Sequence, residues 1–377
     1  MDQLATQEAT IMNDSSPYLS VAMIAAVDPV ARQSAAATFL LDLPDAAQLS
    51  YDLAVDRPEP ALRRVIADRD GTAEAEFVDL DHGCLGCTLR QDVLATLARL
   101  TDIDRWRTVV LALPLATPPE PVAAAVDTAV RDGRLVGIRL APVVAAVDGA
   151  TAVHDILGDD LLDERDLAHG PRDRRSVGEA VCAQVEYADA VLAVGNSGRQ
   201  SVGLLRRLLC SSAFLASPHR IDVADLIVRR HDTGLARARI HPLQPAGRPQ
   251  PDADGVWTLV LQSGRPFEPQ RLMARLEDLG TGLIRARGHF WLPSRPGVAC
   301  VWDGSGGQLS VGIHGPWGDR MPGTALTITG VDPTERERIR DAFATILMTD
   351  RELGDLDRWR GVDDGFDPWL GTASSAA

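Results

Sequence analysis

The chain has 377 residues, 45% apolar and 24% charged, which gives room for two domains, each with its own core. Its formal charge of −15 argues against direct binding to DNA, ribosomal RNA or an anionic membrane, and leaves protein partners open. Five cysteines are too few and too odd for a disulfide framework and point to a reducing cytoplasm.

No basic region followed by a long apolar run opens the sequence, and no apolar stretch reaches the roughly 18 residues of a membrane span. All 38 basic residues are arginine; the chain contains no lysine.

Residues 1–17 are polar and read as a disordered N-terminus. Ser20–Val27 is a continuous apolar run of the kind that forms a buried parallel strand, and Asp28-Pro29 opens an Ala-rich helix to about Leu41. Strands are expected near Gln48–Leu53, Glu74–Leu80, Arg107–Leu113, Val136–Val147 and Ala190–Val194. Helices are expected after Thr88, over Pro119–Val130 and Val177–Tyr187, and from Ser201 and Val223. The charged stretch 158–175 reads as a solvated surface insertion. Strands alternating with helices predict a mostly parallel sheet with helices on both faces over residues 18–235.

Residues 236–255 form a Pro-rich linker, most pronounced from Pro242 onward. The pattern then changes to short alternating strands near Val256–Leu261, Leu283–Leu292, Ala299–Asp303, Gln308–Ile313 and Ala325–Thr329, with a helix after Asp332-Pro333. Residues 256–370 are therefore expected to be a smaller α+β domain, and 371–377 a tail.

The strongest chemical signal is Asp81-His82-Gly83-Cys84-Leu85-Gly86-Cys87-Thr88-Leu89-Arg90-Gln91-Asp92. Thr88-x-x-Gln91 reads as a capping box, and Leu89, Val93, Leu97 and Leu100 recur at helical spacing. Cys87 would then lie just outside a helix N-terminus, where a thiolate is favoured for metal or redox chemistry. Cys84 and Cys87, with His82, are the candidate metal ligands; Asp79 and Asp81 are further donors. Two thiolates fill only half of a tetrahedral zinc shell. Cys182, Cys210 and Cys300 lie in apolar surroundings and read as small buried hydrophobes. His289 and His314, near Trp291 and Trp317, read as packing residues or the rim of a partner surface. No Gly-x-Ser-x-Gly elbow occurs, and no catalytic or cofactor-binding residue is assigned.

A first strand followed by a turn and helix is where a phosphate-binding loop would sit. Between Ser20 and Leu43 there is no glycine, Asp28 brings a negative charge, and the lysine such a loop needs exists nowhere in the chain. An ordinary Walker A site is excluded.

Taken together, these segments resemble the CobW-like family of P-loop proteins linked to zinc and cobalamin metabolism. Gly83-Cys84-Leu85-Gly86-Cys87-Thr88-Leu89-Arg90 is similar to that family's Gly-Cys-x-Cys-Cys-Thr-Leu-Arg metal motif, with Gly86 in place of the middle cysteine. Gln184-x-x-x-Ala188-Asp189 leads into the guanine-reading strand. Arg265-Pro266-Phe267-x-Pro269-x-Arg271-Leu272, Arg285-Ala286-Arg287-Gly288-His289-Phe290-Trp291-Leu292 and Asp367-Pro368-Trp369 resemble its C-terminal signature. The family's phosphate-sensing Glu-Thr-Ser-Gly falls on Ala112-Leu113-Pro114-Leu115, and its Asn-Lys-x-Asp guanine reader on Val194-Gly195-Asn196-Ser197. Three nucleotide motifs have gone together, which reads as a pseudo-GTPase that does not use GTP.

One actinobacterial branch that the chain resembles keeps His-Gly-Cys-x-x-Cys-Thr-[Leu/Ile]-Arg without a usable P-loop. It includes a mycobacterial factor that recruits the hibernation protein Y to ribosomes. That resemblance implies a cytoplasmic, zinc-responsive adaptor with a hibernation factor and the small ribosomal subunit as partners, and zinc held weakly. The alternatives are a GTP-dependent zinc metallochaperone, and a metal-storage or redox protein using only Cys84 and Cys87. Oligomeric state is not legible.

Overall fold

The computed structural model describes residues 18–54, 57, 59–210, 212–244, 251–359 and 362–372, and leaves the side chain of His82 undescribed. The expected disordered N-terminus, residues 245–250 of the Pro-rich stretch and the tail beyond residue 372 fall outside the described residues.

The first unit runs β1 (Leu19–Ala26), α1 (Pro29–Asp42), β2 (Ala46–Ala54), β3 (Ala61–Asp68), β4 (Gly71–Asp79), α2 (Leu85–Ile103), β5 (Thr108–Ala112), α3 (Glu120–Arg131) and β6 (Ile138–Asp148). It continues with α4 (Ala152–Leu157), α5 (Val177–Val185), β7 (Ala190–Val194), α6 (Arg199–Leu208), β8 (Phe214–Ala216), α7 (Val223–Ile227) and α8 (Thr233–Ile240). The helix α8 runs into the stretch read as linker. These strands form an eight-stranded sheet in the order β4-β3-β2-β5-β1-β6-β7-β8. Pairs from β2 to β8 are parallel, while β3 pairs antiparallel with both β2 and β4.

Every residue of β1 is buried, so the apolar run is sandwiched between two helical layers. Val21, Met23 and Ala25 share a core with Leu89, Val93, Leu97 and Leu100 of α2 and with Val122 and Val126 of α3. The alternate residues Ala22, Ile24 and Ala26 face Ala35 and Phe39 of α1 and Leu226 of α7. Period-2 alternation along one strand thus assigns each helix to its face.

Strand β3 escapes the apolar pattern because Arg63-Arg64 interrupt it. The structure buries Arg64 all the same, pairing it with Glu74 at 2.8 Å, Asp92 at 2.7 Å and also Glu76. Asp70-Gly71, with Gly71 at φ 127°, turns the chain back into the exposed edge strand β4.

The second unit is β9 (Trp257–Ser263), α9 (Pro269–Ala274), α10 (Leu276–Gly280), β10 (Ile284–Phe290), β11 (Val298–Ser305), β12 (Gln308–Pro316), β13 (Thr324–Gly330) and α11 (Pro333–Ile346). Its five strands are all antiparallel, in the order β12-β11-β10-β13-β9. The core is Trp302, Phe267, Phe290 and Phe366 against Ile339 and Ile346 of α11.

Buried charge joins the two units. Glu186, just after α5, accepts from Arg285 Nε at 2.8 Å and Nη2 at 3.0 Å, and from Arg287 Nη1 at 2.6 Å. Ser305 Oγ donates to Ile156 O at 2.5 Å, so β11 also touches the end of α4. Among the described residues, no helix is long and apolar enough to cross a membrane.

Candidate functional site

The helix after the cysteine loop starts earlier than the capping box suggests. α2 begins at Leu85, and its N-cap is Cys84, whose Sγ accepts the Cys87 N–H at 3.3 Å. Thr88 is buried inside the first turn, and its Oγ1 accepts the Asp81 N–H at 2.8 Å instead. The physical reason lies in the loop. A short turn at Asp81–Gly83, with Gly83 at φ 69°, delivers Cys84 in an extended conformation, so a sulfur takes the place usually held by a hydroxyl. Cys87 therefore lies within the first turn of α2.

The two sulfurs lie 2.7 Å apart, both cysteines are half-buried, and Arg90 Nη2 lies 3.7 Å from Cys87 Sγ. The contact between the two thiols, followed by the Cys87 amide, pulls the Cys84 thiol below its ordinary value. The same contact raises the Cys87 thiol. Zinc–sulfur bonds of about 2.3 Å at the tetrahedral angle hold two sulfurs roughly 3.8 Å apart. The pair must open by about 1 Å to take a metal, which small side-chain rotations supply. Among the described residues no group of three or more His, Cys, Asp or Glu converges as a metal shell. The side chain of His82 lies outside them. The fit is thus two ligands, with room for donors from elsewhere.

Sequence reasoning missed what holds α2 in place. Asp92, two turns along, accepts from Tyr51 Oη and Arg64 Nη1, each at 2.7 Å. These partners come from β2 and β3 and fix the helix against the sheet. An arginine in a strand that broke the expected pattern was the only trace in the sequence.

The β1–α1 junction lies at the same edge. Because β4 is two antiparallel steps from β2, it runs in the direction of β1, and the chain leaves both strands at the C-terminal edge of the sheet. There Asp28 caps α1 with its own carboxylate, Oδ1 accepting the Ala31 N–H at 2.6 Å, and Pro29 follows in the first turn. A helix N-terminus of this kind is where a phosphate would bind; here a side-chain anion of the chain has that position. Replacing Asp28 with Ala is expected to lower stability by about 1 kcal/mol, read as a drop in Tm. No change would mean that the cap contributes nothing.

The loop after β5 closes over the same strand end. Leu113 N–H donates to Ile24 O and Ala116 N–H to Ala26 O, each at 2.9 Å, and Ala116 is fully buried at φ 58°. Gln184 Nε2 ties Ala26 O at 3.2 Å to Thr117 O at 3.1 Å. The stretch 158–175, expected to be a solvated insertion, is tied into this closure. His169 Nε2 lies 2.7 Å from Leu115 O, Arg175 Nη1 donates to Ala116 O at 2.9 Å, and Leu162 is fully buried. Burial lowers the pKa of His169. The charge run conceals these contacts because its arginines and acids pair with one another as well, Arg165 with Asp160 and Arg175 with Asp173 among them.

Cys182 and Cys300 are buried, and burial pushes both thiols up to about 12. Cys210 differs from the expectation. It is half-buried, and its sulfur accepts from Arg239 Nη1 at 3.0 Å. His289 is hydrogen-bonded to Pro242 O at 3.0 Å and meets Trp317 edge-on, while His314 meets His241 edge-on.

Residues 256–347 match the family model described as "Cobalamin synthesis protein cobW C-terminal domain". The chain is 29% identical over 334 residues to "Zinc chaperone Rv0106" of Mycobacterium tuberculosis, a match spanning 78% of this chain and 80% of that protein. It is 22% identical over 258 residues to "Zinc-regulated GTPase metalloprotein activator 1" of Dictyostelium discoideum, spanning 64% of this chain and 54% of that protein. A zinc-bound crystal structure of the YjiA GTPase from E. coli superposes with a TM-score of 0.36 at 16% identity, covering 87% of this chain and 99% of that one. Residues 256–347 thus match the C-terminal module of the cobW family, and the chain as a whole is similar to zinc-linked relatives.

Proposed function

We propose that this CobW-like chain handles zinc as cargo or signal through Cys84 and Cys87, does not turn over GTP, and acts by binding a protein partner. The β1–α1 junction carries the reading. A carboxylate of the chain caps the helix end that would hold phosphate, the following loop is hydrogen-bonded onto β1, and no lysine exists to reach a phosphate. The zinc element stands on the paired thiols and on the names of the relatives. Bound zinc would take two thiolates here, leaving remaining positions to His82, Asp81 or a partner. Such a site exchanges metal more readily than a closed four-cysteine shell and suits a protein that reports zinc scarcity. The partner proposed first is a ribosome hibernation factor, with the small ribosomal subunit behind it. Zinc delivery driven by GTP is the second reading; the name of the mycobacterial relative favours zinc delivery, and that of the Dictyostelium relative favours a GTPase.

One set of measurements separates these. The parent is expected to compete with a chromophoric chelator for zinc, and the Cys84→Ser, Cys87→Ser variant to lose that competition. A fluorescent GTP analogue with magnesium should not bind. Pull-downs from zinc-starved cells should recover ribosomal proteins with the parent and not with the variant. Saturable GTP binding would establish the second reading in place of the first. Unchanged zinc affinity in the double variant would remove the cysteine pair from both.

A further inference from the structure

We propose that a cavity at the N-terminal ends of β6, β7 and β8 binds a small organic oxyanion, a carboxylate or phosphate ester carried on an apolar body. The cavity measures about 620 Å³, in the size class of small-molecule sites. It lies at the opposite ends of the strands from Asp28 and the cysteine pair, and so does not rest on the zinc reading.

The case is one of uncompensated charge. Arg139, near the start of β6, donates to Val228 O at 2.8 Å, Ile227 O at 2.9 Å and Ser20 Oγ at 2.6 Å, all neutral acceptors. Arg229 lies over the Phe214 ring at 5.3 Å. Among the described residues neither Arg229 nor Arg230, both lining the cavity, has a carboxylate in contact. Arg139 adjoins the cavity without lining it, and burial, then the charge of Arg230, lower its pKa.

Arg229 and Arg230 are exposed at the cavity rim and free to turn toward a ligand, whereas Arg32, Arg165, Arg285 and Arg295 already meet carboxylates. The acids that line the same cavity are already engaged. Asp189 accepts from His231 Nδ1 at 2.6 Å, the Val143 N–H at 3.0 Å and Arg239 Nη2 at 3.2 Å. Asp232 caps α8 by accepting the Leu235 N–H at 2.8 Å.

Phe214, Leu226 and Leu235 supply an apolar wall, and Leu235 is 65% exposed. Guanidinium forks match carboxylate and phosphate oxygens, and the wall would take the rest of the molecule. A concave site of this size favours a small molecule over a peptide. Cys210 lines the same cavity and supplies a built-in reporter. Although burial raises its thiol, the Ser212 hydroxyl and the Arg239 charge bring it below the ordinary value, which favours alkylation.

The test uses the full chain carrying Cys84→Ser and Cys87→Ser, so that Cys210 is the reactive thiol. Its alkylation by iodoacetamide is followed by peptide mass spectrometry with phenyl phosphate, benzoate or neutral benzyl alcohol present. The anions are expected to protect, by about elevenfold at a concentration ten times Kd, and benzyl alcohol is not. The anion that protects at the lower concentration identifies the head group. R229Q/R230Q should lose protection while keeping its Tm and its unprotected alkylation rate. If that pair lowers Tm, R229K/R230K keeps the charge without the fork and should protect more weakly than the parent. Equal protection by all three compounds, protection by none, or undiminished protection in both variant pairs would overturn the proposal. Protection by a polyglutamate peptide alone would overturn it in favour of an acidic protein partner.

Discussion

Glu186→Gln is expected to destabilise the protein by about 3 kcal/mol at neutral pH, seen as a lower Tm and earlier urea unfolding. The carboxylate is buried between Arg285 and Arg287 of the C-terminal unit. Gln keeps the shape and removes the charge, leaving Arg285 buried with Asp303, which also contacts it, as its remaining acid. Burial by itself would raise the Glu186 pKa. The charges of Arg285 and then Arg287 outweigh it and hold the carboxyl at about 2, against an ordinary 4.5.

A depressed folded-state value stabilises above the unfolded value and ceases to do so as pH falls through the folded one. The contribution is therefore complete above about pH 4.5 and is lost toward pH 2. The parent should lose stability across that window more steeply than Glu186→Gln. One control isolates the pair. Glu186→Gln combined with Arg285→Met should recover part of the loss, because the fully buried guanidinium goes with its carboxylate and only the partly exposed Arg287 is left unpaired at this contact. Equal pH slopes in parent and variant would show that the contact between the units does not depend on this ionised carboxylate.

Gly288→Ala is expected to cost about 3 kcal/mol or more. Gly288 sits in β10 at φ 152°, and a Cβ there would lie 2.0 Å from Ala325 O on β13. The obstacle is backbone of the neighbouring strand, so no side-chain rotation relieves it. Gly297 is the control: its φ is ordinary and nothing lies within 4 Å of an added Cβ. Gly297→Ala should stay within about 1 kcal/mol of the parent. Similar Tm values for the two variants would contradict the close approach of β10 and β13. Gly288 belongs to the Arg-Ala-Arg-Gly-His segment that sequence similarity picks out, and the structure gives that segment two physical roles. Its arginines hold the other unit, and its glycine lets two strands meet.

The alternation of apolar strands and amphipathic helices was enough to lay out the parallel sheet, because burial on both faces writes itself into consecutive residues. Ser20–Val27 is buried on both sides as its composition requires, and Leu89, Val93, Leu97 and Leu100 all face the core. The antiparallel C-terminal sheet was legible for the same reason, through short alternating runs. Local composition also ruled out an ordinary phosphate loop, since a missing lysine needs no structure to be noticed.

What the sequence could not supply are the features that depend on distant partners. A buried arginine in β3 looks like a surface residue until Asp92, Glu74 and Glu76 are brought to it. The charge run at 158–175 looks solvated until His169 and Arg175 are seen on the Leu115–Ala116 backbone. Cys210 looks like a core residue until Arg239 is found beside its sulfur. Helix α2 was found from its periodicity, but its first residue was decided by where the loop delivers Cys84. Periodicity is a local property, written along a few turns of chain. Pairing of charges, capping by a sulfur and closure of a strand end are settled by which segments the tertiary fold brings within hydrogen-bonding distance.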